Sequence, residues 1–513
     1  MELEDLLYKI FKYKAFRTGQ KEIITDLLNG QHVVAMLPTG AGKSICYQIP
    51  GYAMDGTVVI VSPLLSLMED QVNQLRLIGE KRVIAFNSFR TMEEKQEALR
   101  NIAFYKFVFA SPEMLQSAAF VRSLKRINIS LFVVDEAHCI SQWGYDFRPD
   151  YQRLHRVIRQ LGHPSVLALT ATATKEVLQD IVASLRLSGV KLHLHSIDRP
   201  NIALQVERLS SLKEKKSRLL AYVKELQGPG IIYCSSRFWS EELAQYLRSE
   251  GINGVSHYHG GMEQEDRMLI QQQFINGQLQ VISCTSAFGM GINKPNIRYV
   301  LHFHYPTNLE AYLQEIGRAG RDGKDSIAIL LLTPLDHDLP VSIIREELPS
   351  QESISYLLSL LKEKVVLRAA LPLEDAEEIA RNVVGLSEQH WRFLQYQLEQ
   401  LGVVRDGLFL VVAVKPYIEE KLCEQVLWRL NKKYEKLHMM RGWLQTEICR
   451  REAFLRLFDS AKGAEPKNCC DLCGIDLSDY KQIAPENETY IGDWRTELQL
   501  LLGVEKRRNY EST

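Results

Sequence analysis

The chain contains 513 residues, of which 46% are hydrophobic and 24% are charged, a composition typical of folded globular protein rather than of long disordered segments. Its 62 Lys and Arg residues are balanced by 63 Asp and Glu residues, so the net charge of -1 excludes a globally basic nucleic-acid-binding protein. The apolar stretches are shorter than the ~18–20 residues that cross a bilayer, and the acidic start differs from a signal peptide. We therefore expect a cytoplasmic protein, associated with the nucleoid if the source is bacterial, with no membrane contact.

Two successive series of β-branched apolar runs predict an α/β fold built from two tandem parallel sheets. Each run is bounded by polar residues or by Gly and Pro, and the intervening ~20–40 residues can hold a crossover helix. The first series, assigned to a domain over residues 1–200, comprises 32–37, 57–62, 107–111, 131–136 and 166–172. The second series, assigned to a domain over residues 201–340, comprises 230–236, 281–286, 297–303 and 326–333.

The pattern changes after Pro334 and becomes mostly helical. Residues 341–417 predict helices followed by two apolar runs that flank the tight-turn signal Asp406-Gly407. This order is typical of a winged helix, and a helical linker with a hairpin is the alternative. Residues 418–476 predict a long basic helix that leads into a cysteine cluster, and residues 477–513 predict a peripheral C-terminal tail.

A glycine-rich loop after the first strand predicts a nucleotide-phosphate site. Glycines allow the loop N–H groups to face a phosphate, and the N-terminus of the following helix adds partial positive charge. The lysine would reach the β- and γ-phosphates, and the serine hydroxyl would ligate Mg²⁺. Leu37 stands where the consensus loop has its first glycine, so the pattern departs by one residue. The loop residues are Pro38, Thr39, Gly40, Ala41, Gly42, Lys43 and Ser44.

Acidic and basic residues elsewhere complete a pattern for nucleoside triphosphate hydrolysis. Asp135, at the end of the apolar run LFVV, can hold Mg²⁺, and Glu136 can act as general base toward the attacking water. In the second sheet, Arg318 and Arg321 lie three residues apart on one face of a helical turn. An arginine supplied across a cleft stabilises negative charge on the γ-phosphate in the transition state. The arrangement predicts hydrolysis coupled to opening and closing of a cleft between the sheets.

Nine ordered motifs resemble the RecQ family of superfamily 2 DNA helicases, over roughly residues 5 to 473. They are FKYKAFRTGQ (11–20), LPTGAGKSICYQIP (37–50), VSPLLSLMEDQ (61–71), ASPEML (110–115), DEAHCISQWGYDFRPDY (135–151), ALTATAT (168–174), DRPNI (198–202), FGMGINKP (288–295) and QEIGRAGRDG (314–323). The stretch after DEAH and the element FRTGQ separate RecQ relatives from other DEAD/DEAH helicases. The resemblance implies two RecA-like domains that bind ATP and Mg²⁺ between them, with Gln314 among the catalytic residues beside Arg318 and Arg321.

The resemblance also implies contacts with adenine and with DNA. Tyr13 and Arg17 would sandwich the base while Gln20 reads its edge, which favours ATP over GTP because Gln offers both a donor and an acceptor. The family usually has His where this chain has Tyr145, which bears on how DNA contact is coupled to hydrolysis. The residues implied to contact single-stranded DNA are Ser62, Trp143, Phe147, Arg148 and Thr285. Burial in the core is the alternative for the two aromatic residues, and a structural role in strands is the alternative for the threonine.

Four cysteines near the C-terminus predict a structural zinc site. They are Cys449, Cys469, Cys470 and Cys473. Four thiolates suffice for a closed tetrahedral Zn²⁺ site without an open position for catalysis. The family resemblance implies the same site, with a ligating cysteine followed by Arg-Arg as at Cys449. Because Cys469 and Cys470 are adjacent, both can bind one metal only if the backbone bends sharply, and Cys423 or His438 is the alternative to Cys469.

The resemblance implies an ATP-dependent DNA helicase with 3′-to-5′ polarity in repair, recombination or replication-fork processing. Implied partners are single-stranded DNA and partly duplex DNA, with single-stranded-DNA-binding and recombination proteins. RecQ proteins place a winged helix after the zinc site, whereas 40 residues follow Cys473, so we expect a short form that lacks the C-terminal winged-helix and helical DNA-binding domains and carries an inserted module at 350–415. The alternatives are an RNA helicase of the DEAH type and a DNA-stimulated ATPase that anneals or remodels strands without productive unwinding.

Overall fold

The protein is described by a computed structural model over residues 2–482, apart from residues 64, 88–89, 142–147, 289–293, 365–369, 406, 411–413, 415 and 464. Both predicted parallel sheets are present. Alternate residues along the central strands of the first sheet belong to two different apolar cores, one on each face, as the near-continuous apolar runs predict. Within the described residues, no helix combines the length and the apolar character that a membrane crossing requires.

The first half of the chain forms a seven-stranded sheet. Its strands are β1 (Val33–Met36), β2 (Thr57–Val61), β3 (Val83–Phe86), β4 (Phe107–Ala110), β5 (Ile129–Val134), β6 (Ser165–Thr170) and β7 (Lys191–Leu194). They lie in the order β3-β4-β2-β5-β6-β1-β7, and all pairs are parallel. The five predicted strands are confirmed, and β3 and β7 at the two edges were not predicted.

A six-stranded sheet begins at Ile202, just after the DRPN segment. Its strands are β8 (Ile202–Arg208), β9 (Gly230–Tyr233), β10 (Val255–Tyr258), β11 (Val281–Cys284), β12 (Tyr299–His302) and β13 (Ser326–Leu332). They lie in the order β10-β11-β9-β12-β13-β8, again with all pairs parallel. The four predicted strands are confirmed, and the two unpredicted strands, β8 and β10, are once more the edges.

Helices connect the strands in both sheets. In the first half they are α1 (Leu3–Phe11), α2 (Gln20–Leu28), α3 (Ile45–Ala53), α4 (Leu65–Leu77), α5 (Met92–Arg100), α6 (Ala118–Leu124), α7 (Pro149–Gln152), α8 (Leu154–Gln160) and α9 (Lys175–Leu185). In the second half they are α10 (Leu212–Glu225), α11 (Arg237–Ser249), α12 (Gln264–Ile275), α13 (Leu309–Ile316) and α14 (Leu339–Glu346). Two tandem domains of this kind are RecA-like, as the family resemblance implies.

The region after α14 is mostly helical, as predicted, and it contains a small antiparallel sheet. Its elements are α15 (Gln351–Lys364), β14 (Ala370–Pro372), α16 (Leu373–Glu378, continued by a π-helix over Ile379–Val383), α17 (Glu388–Gln400), β15 (Val404–Arg405), β16 (Leu408–Leu410), α18 (Pro416–Leu444) and α19 (Arg450–Leu457). The sheet order is β14-β16-β15. Of the predicted Asp406-Gly407 turn, Gly407 has φ +76° and Asp406 lies outside the described residues. We call residues 351–410 the inserted module.

The inserted module shares an apolar core with the first half of α18 and lies against the first RecA-like domain. Helix α17 contacts α7, where Arg153 forms an ion pair with Glu399 of α17. Helix α18 then carries the chain to the second domain, where Lys436 forms an ion pair with Glu310 of α13. The region after α14 therefore contacts both RecA-like domains.

Candidate functional site

A cleft between the two RecA-like domains brings together nearly all of the predicted nucleotide-site residues. Its volume is about 890 Å³, within the range of small-molecule sites. Ala41 instead lies partly buried against the first domain's core. The predicted residues that line the cleft are Tyr13, Arg17, Gln20, Thr39, Gly40, Gly42, Lys43, Ser44, Asp135, Glu136, Gln314, Arg318 and Arg321.

The glycine-rich loop has a backbone that only glycine adopts easily at two positions. Gly40 has φ +87° and Gly42 has φ +77°, both in the left-handed region. A Cβ atom at Gly42 would also lie 2.7 Å from Gln20 Nε2. The loop holds Lys43 in the cleft, with its Nζ 3.5 Å from Glu136 Oε1. The curled loop and the lysine thus have the arrangement expected of a phosphate site.

The two acids of the DEAH sequence follow β5 directly. The Asp135 N–H donates to the carbonyl of Val61 at 2.9 Å and so continues the pairing of β5 with β2. Glu136 then adopts φ +48°, a strained conformation for a residue with a Cβ. The left-handed turn directs the Glu136 side chain toward Lys43, and Asp135 and Ser44 both line the same cleft. These two oxygen donors fit a Mg²⁺ ion, which prefers a small number of hard oxygen ligands.

The two carboxyl groups experience different electrostatic surroundings. Burial raises the pKa of Asp135, and the negative charge of Glu136 adds to this effect. Burial alone would also raise the pKa of Glu136, but the positive charges near it, on Lys43 and His138 and more distantly on Arg318, together lower the pKa below its usual value. Glu136 is therefore ionised at neutral pH, as a base that accepts a proton from water must be.

A chain of polar contacts leads from Glu136 to the end of β6. His138 Nδ1 lies 3.4 Å from Glu136 Oε2 and 3.1 Å from the hydroxyl of Thr170. The Thr170 hydroxyl in turn donates to the carbonyl of Thr172 at 3.1 Å. This path joins the Glu136 carboxylate to the ALTATAT segment. The sequence places His138 in the DEAH motif, but its position as the link between Glu136 and Thr170 was not predicted.

Arginines from the second domain concentrate positive charge on the far side of the cleft. Burial lowers the pKa of Arg321 to about 9, and the neighbouring guanidinium groups of Arg318 and Arg199 contribute. Burial likewise lowers the pKa of Arg199 to about 10, with a contribution from Arg17. Buried cations that destabilise one another are relieved by an anion, and a nucleoside triphosphate supplies several negative charges.

Arg199 is a site residue that the sequence interpretation missed. Its guanidinium donates to the carbonyl of Thr39 in the glycine-rich loop at 2.7 Å. It also donates to the carbonyls of Gly317 at 3.1 Å and Ala319 at 2.9 Å, beside the arginines of the second domain. The DRPN motif was visible in the sequence, but only the fold shows that this one side chain joins the two walls of the cleft.

The predicted adenine-binding residues lie at one end of the cleft. Tyr13 is 56% exposed, so its ring face is accessible. The Gln20 Nε2 group donates to the carbonyls of Ala41 at 2.9 Å and Gly42 at 3.0 Å, while its Oε1 accepts from the Arg17 N–H at 2.9 Å. Gln20 therefore connects the predicted adenine-binding segment to the phosphate loop in this structure.

The predicted DNA-contacting residues that are described lie after strand ends. Ser62 follows β2 of the first sheet, and Thr285 follows β11 of the second sheet. Each residue therefore lies at the carboxyl ends of the parallel strands of its own sheet. Ser62 is only 2% exposed, and Arg148 donates to the carbonyl of Pro63 at 2.8 Å. Trp143 and Phe147 lie outside the described residues.

The four C-terminal cysteines form one cluster. Their sulfur atoms all lie within 4.8 Å of one another, with Cys449 to Cys469 and Cys470 to Cys473 both at 3.5 Å. Tetrahedral Zn²⁺ with bonds of ~2.3 Å requires sulfur atoms ~3.8 Å apart, so the arrangement fits that ion. Cys423 instead packs against the core of the inserted module. The candidate zinc ligands therefore include both adjacent cysteines, Cys469 and Cys470.

Strand β8 holds the sharp bend between the adjacent cysteines. The Leu204 N–H donates to the carbonyl of Cys469 at 3.1 Å, and the Asp471 N–H donates to the carbonyl of Leu204 at 3.0 Å. Arg450 adds a two-pronged ion pair with Asp471, at 2.5 and 2.9 Å. The cysteine cluster is thus attached to the edge of the second sheet.

The chain resembles known proteins in family, in sequence and in structure. Residues 17–181 match the DEAD/DEAH box helicase family, and residues 214–323 match the helicase conserved C-terminal domain. The probable ATP-dependent DNA helicase RecS of Bacillus subtilis (strain 168) is 46% identical over 507 residues, 98% of each chain. The ATP-dependent DNA helicase RecQ of Haemophilus influenzae is 39% identical over 362 residues, 70% of this chain and 58% of the relative.

Two solved structures illustrate the likeness in fold. The helicase Lhr of Mycobacterium smegmatis, bound to ssDNA and AMP-PNP, has a TM-score of 0.54 at 19% identity, covering 82% of this chain and 61% of that one. Mss116p, bound to ssRNA and AMP-PNP, has a TM-score of 0.55 at 16% identity, covering 85% of this chain and 89% of that one. At these identities the likeness concerns the fold alone.

Proposed function

The chain belongs to the RecQ family of superfamily 2 helicases, and from this premise we propose that it is an ATP-dependent DNA helicase that moves 3′-to-5′ along single-stranded DNA. The observation that carries the proposal is the cleft. One RecA-like domain supplies the phosphate loop and the DEAH acids, and the other supplies two arginines to the same cavity. A site divided in this way forms only when the domains are close, so nucleotide turnover drives a change in their separation.

The residues of the cleft divide the chemistry of ATP hydrolysis. Lys43 neutralises the β- and γ-phosphates, while Ser44 and Asp135 hold Mg²⁺, which supplies charge stabilisation at the phosphates. Glu136, kept ionised by its cationic neighbours, orients the attacking water and accepts its proton. Arg318 and Arg321 face the developing charge from the second domain, a contribution worth about 10³- to 10⁵-fold in related enzymes. Gln314 lines the same wall and positions the γ-phosphate.

We propose that DNA contact reaches the hydrolytic site through the two segments that flank it. Trp143, Phe147 and Arg148 would hold single-stranded DNA directly after the DEAH acids, and base stacking on aromatic rings suits binding without sequence preference. The polar path from Glu136 through His138 to Thr170 supports this coupling. Ser62 and Thr285 would contact the strand from the two domains.

We further propose the following organisation of the chain. Residues 1–200 and 201–340 are the two motor domains, 341–417 contain the inserted module, 418–476 form the zinc subdomain and 477–513 are the tail. The helix-strand-helix-helix-strand-strand order of the inserted module, with its three-stranded antiparallel sheet, supports a winged helix. Zn²⁺ at the four cysteines would be structural, because four thiolates leave no open coordination position.

The proposed role is processing of single-stranded and partly duplex DNA in repair, recombination or at replication forks. This role follows from the family membership rather than from any group in the cleft. Single-stranded-DNA-binding and recombination proteins are the partners proposed on the same ground.

Unwinding of a 3′-tailed duplex, compared with a 5′-tailed duplex in the presence of ATP, tests the proposal. We expect unwinding of the 3′-tailed substrate only, abolished in Lys43→Ala and retained in the exposed control Lys125→Ala. Unwinding of the 5′-tailed substrate would overturn the polarity. DNA-stimulated ATP hydrolysis without strand separation would instead indicate a remodelling clamp, and stimulation by RNA in preference to DNA would indicate an RNA helicase.

A further inference from the structure

A polar groove lies between the first RecA-like domain and the inserted module, apart from the nucleotide cleft. Its volume is about 790 Å³. Arg153, His155 and Arg156 from helices α7–α8 and Arg186 after α9 line one wall, while Glu399 and Arg405 line the wall of the inserted module. The groove therefore exists only because the inserted module lies against the motor domain.

The groove is strongly positive in a chain whose net charge is -1. The ionised side chains that line it are four arginines and one glutamate. The glutamate, Glu399, is already engaged by Arg153. Across the described part of the chain, no ion pair joins Arg156, Arg186 or Arg405 to a carboxylate, and all three side chains are exposed. Burial lowers the pKa of His155, and the nearby Arg186 and Arg156 lower it further, as a positive potential does.

The polar lining identifies what the groove can bind. Gln400 accompanies the arginines, and such a donor holds phosphates without reading base sequence. Three further polar residues of the lining already donate within the protein: Gln116, Gln152 and Ser184. Among the lining residues the single Phe, Tyr or Trp side chain, Tyr396, is only 5% exposed, so the groove presents no exposed ring of these three types, and His155 is the other aromatic side chain of the lining. Sites for single-stranded nucleic acid depend on the stacking of bases on such rings, whereas a duplex presents its phosphates outward. The lining thus favours a duplex backbone over a single strand.

The groove also begins where the proposed DNA path ends. Gln116 ends the short helix that follows β4, and Gln152 ends α7, which follows the predicted DNA-contacting residues Trp143, Phe147 and Arg148. Both residues therefore come after the carboxyl ends of strands β4 and β5, in the same sheet in which Ser62 follows β2. From there the groove continues between α8 and the turn at Arg405. The groove therefore lies beside the residues that are proposed to contact the single strand.

We propose that this groove binds the phosphate backbone of the duplex part of a partly duplex DNA, held between Arg156 and Arg186 of the motor domain and Arg405 of the inserted module. The proposal rests on the proposed function, because the duplex is a part of the same substrate. The duplex would contact the junction between the motor domain and the inserted module. It would not bind to helix α17 alone, whose Glu399 already forms an ion pair with Arg153 of the motor domain.

Charge reversal on both walls tests the proposal. The double variant Arg156→Glu/Arg405→Glu is compared with wild type for binding, without ATP, to a 3′-tailed duplex and to the tail alone, by fluorescence anisotropy over a range of salt. We expect affinity for the tailed duplex to fall at least about 10-fold at ~0.1 M salt, and the slope of log affinity against log salt to decrease by about 2, one for each lost phosphate contact. Affinity for the tail alone should change less than about 2-fold.

Two matched variants make the result specific. Arg100→Glu/Arg122→Glu changes net charge equally at exposed positions outside the groove and should bind the tailed duplex as wild type does. Arg156→Lys/Arg405→Lys keeps the charge and should retain most of the affinity. Unchanged binding of the tailed duplex by the reversal variant would overturn the proposal. An equal loss of affinity for the tail alone would also overturn it, because it would place the groove on the path of the single strand.

ATP hydrolysis stimulated by single-stranded DNA is measured in parallel and should be intact in the reversal variant. Absence of this hydrolysis in wild type would count against the proposed function instead.

Discussion

Arg451, in the helix that follows the first cysteine of the cluster, forms a buried ion pair with Asp198, the first residue of the DRPN segment between the two RecA-like domains, at 2.6 Å. Arg451 is 1% exposed, and it also donates to the carbonyls of Arg199 at 2.9 Å and Ile202 at 2.5 Å. One side chain next to the cysteine cluster thus holds the interdomain connection, and the next residue along that connection, Arg199, reaches the phosphate loop.

Removal of this guanidinium should destabilise the protein substantially. Arg451→Ala leaves Asp198 as a buried carboxylate without its partner, and breaking a buried ion pair in this way costs about 3–5 kcal/mol. Burial works against the charged form of Arg451, yet the pKa of Arg451 is raised, chiefly by Asp198, so the guanidinium keeps its charge. We expect a lower urea midpoint, measured by circular dichroism.

Arg456 on the same helix provides the matched control for that measurement. It is exposed and pairs with Glu452 on the surface, where ion pairs are worth little. Arg456→Ala should therefore unfold at nearly the wild-type urea concentration. Equal midpoints for Arg451→Ala and wild type would show that the buried pair does not hold the interdomain connection.

The cysteine cluster should contain one equivalent of zinc, and Cys470→Ser should lose it. Cys470 is fully buried in the cluster beside β8, and three thiolates hold Zn²⁺ less tightly than four. Zinc released by a thiol-modifying reagent and measured with a colorimetric chelator gives the stoichiometry. Cys423→Ser, which alters a cysteine outside the cluster, should keep its zinc. Full zinc content in Cys470→Ser would mean that the adjacent cysteine suffices.

Arg199→Ala should reduce the rate of ATP hydrolysis about 10- to 100-fold with little effect on nucleotide affinity. The side chain spans the cleft by hydrogen bonds to backbone carbonyls on both walls, and misplacement of a catalytic group by ~1 Å can cost ~10²-fold. Steady-state kinetics separate kcat from KM, and a fluorescent ATP analogue reports binding. Arg100→Ala, at an exposed position, is the control. A change in KM with unchanged kcat would assign Arg199 to nucleotide binding instead.

The strands differ in how well a short stretch of sequence predicts them. The central strands were predictable because residues buried on both faces are apolar without interruption, as in the runs that became β1 and β5. Three of the four edge strands were not, because they lack a long apolar run: β7 has mostly exposed side chains, β8 contains Gln205 and Glu207, and β10 has Ser256 and His257 at its centre. The fourth edge strand, β3, is a buried apolar run of four residues and was missed despite that signal.

The same distinction holds in the site. Lys43, Asp135 and Glu136 belong to short motifs whose spacing encodes their chemistry, and the structure places them in one cleft. Arg199 and Arg451 act through backbone carbonyls or carboxylates that are distant in sequence, so no local pattern reveals their partners. For the adjacent cysteines, the bend that brings both sulfur atoms into one cluster is held by Leu204, more than 250 residues earlier.

Stability of the second domain should decrease as the pH falls below about 6.5, because of His304. Burial, with a contribution from Lys215, lowers the pKa of His304 to about 3, and its Nδ1 accepts the Ser235 N–H at 3.3 Å. Between the unfolded pKa of ~6.5 and the folded pKa, the unfolded chain binds a proton that the folded chain does not, so stability is lost as pH falls, by at most ~1.4 kcal/mol per pH unit. Urea midpoints measured at pH 7.5, 6.5 and 5.5 should depend less on pH in His304→Asn than in wild type. The asparagine side-chain oxygen can still accept the hydrogen bond from Ser235. The control His438→Gln, at an exposed site, should follow wild type. Identical pH dependence in His304→Asn and wild type would mean that another group titrates.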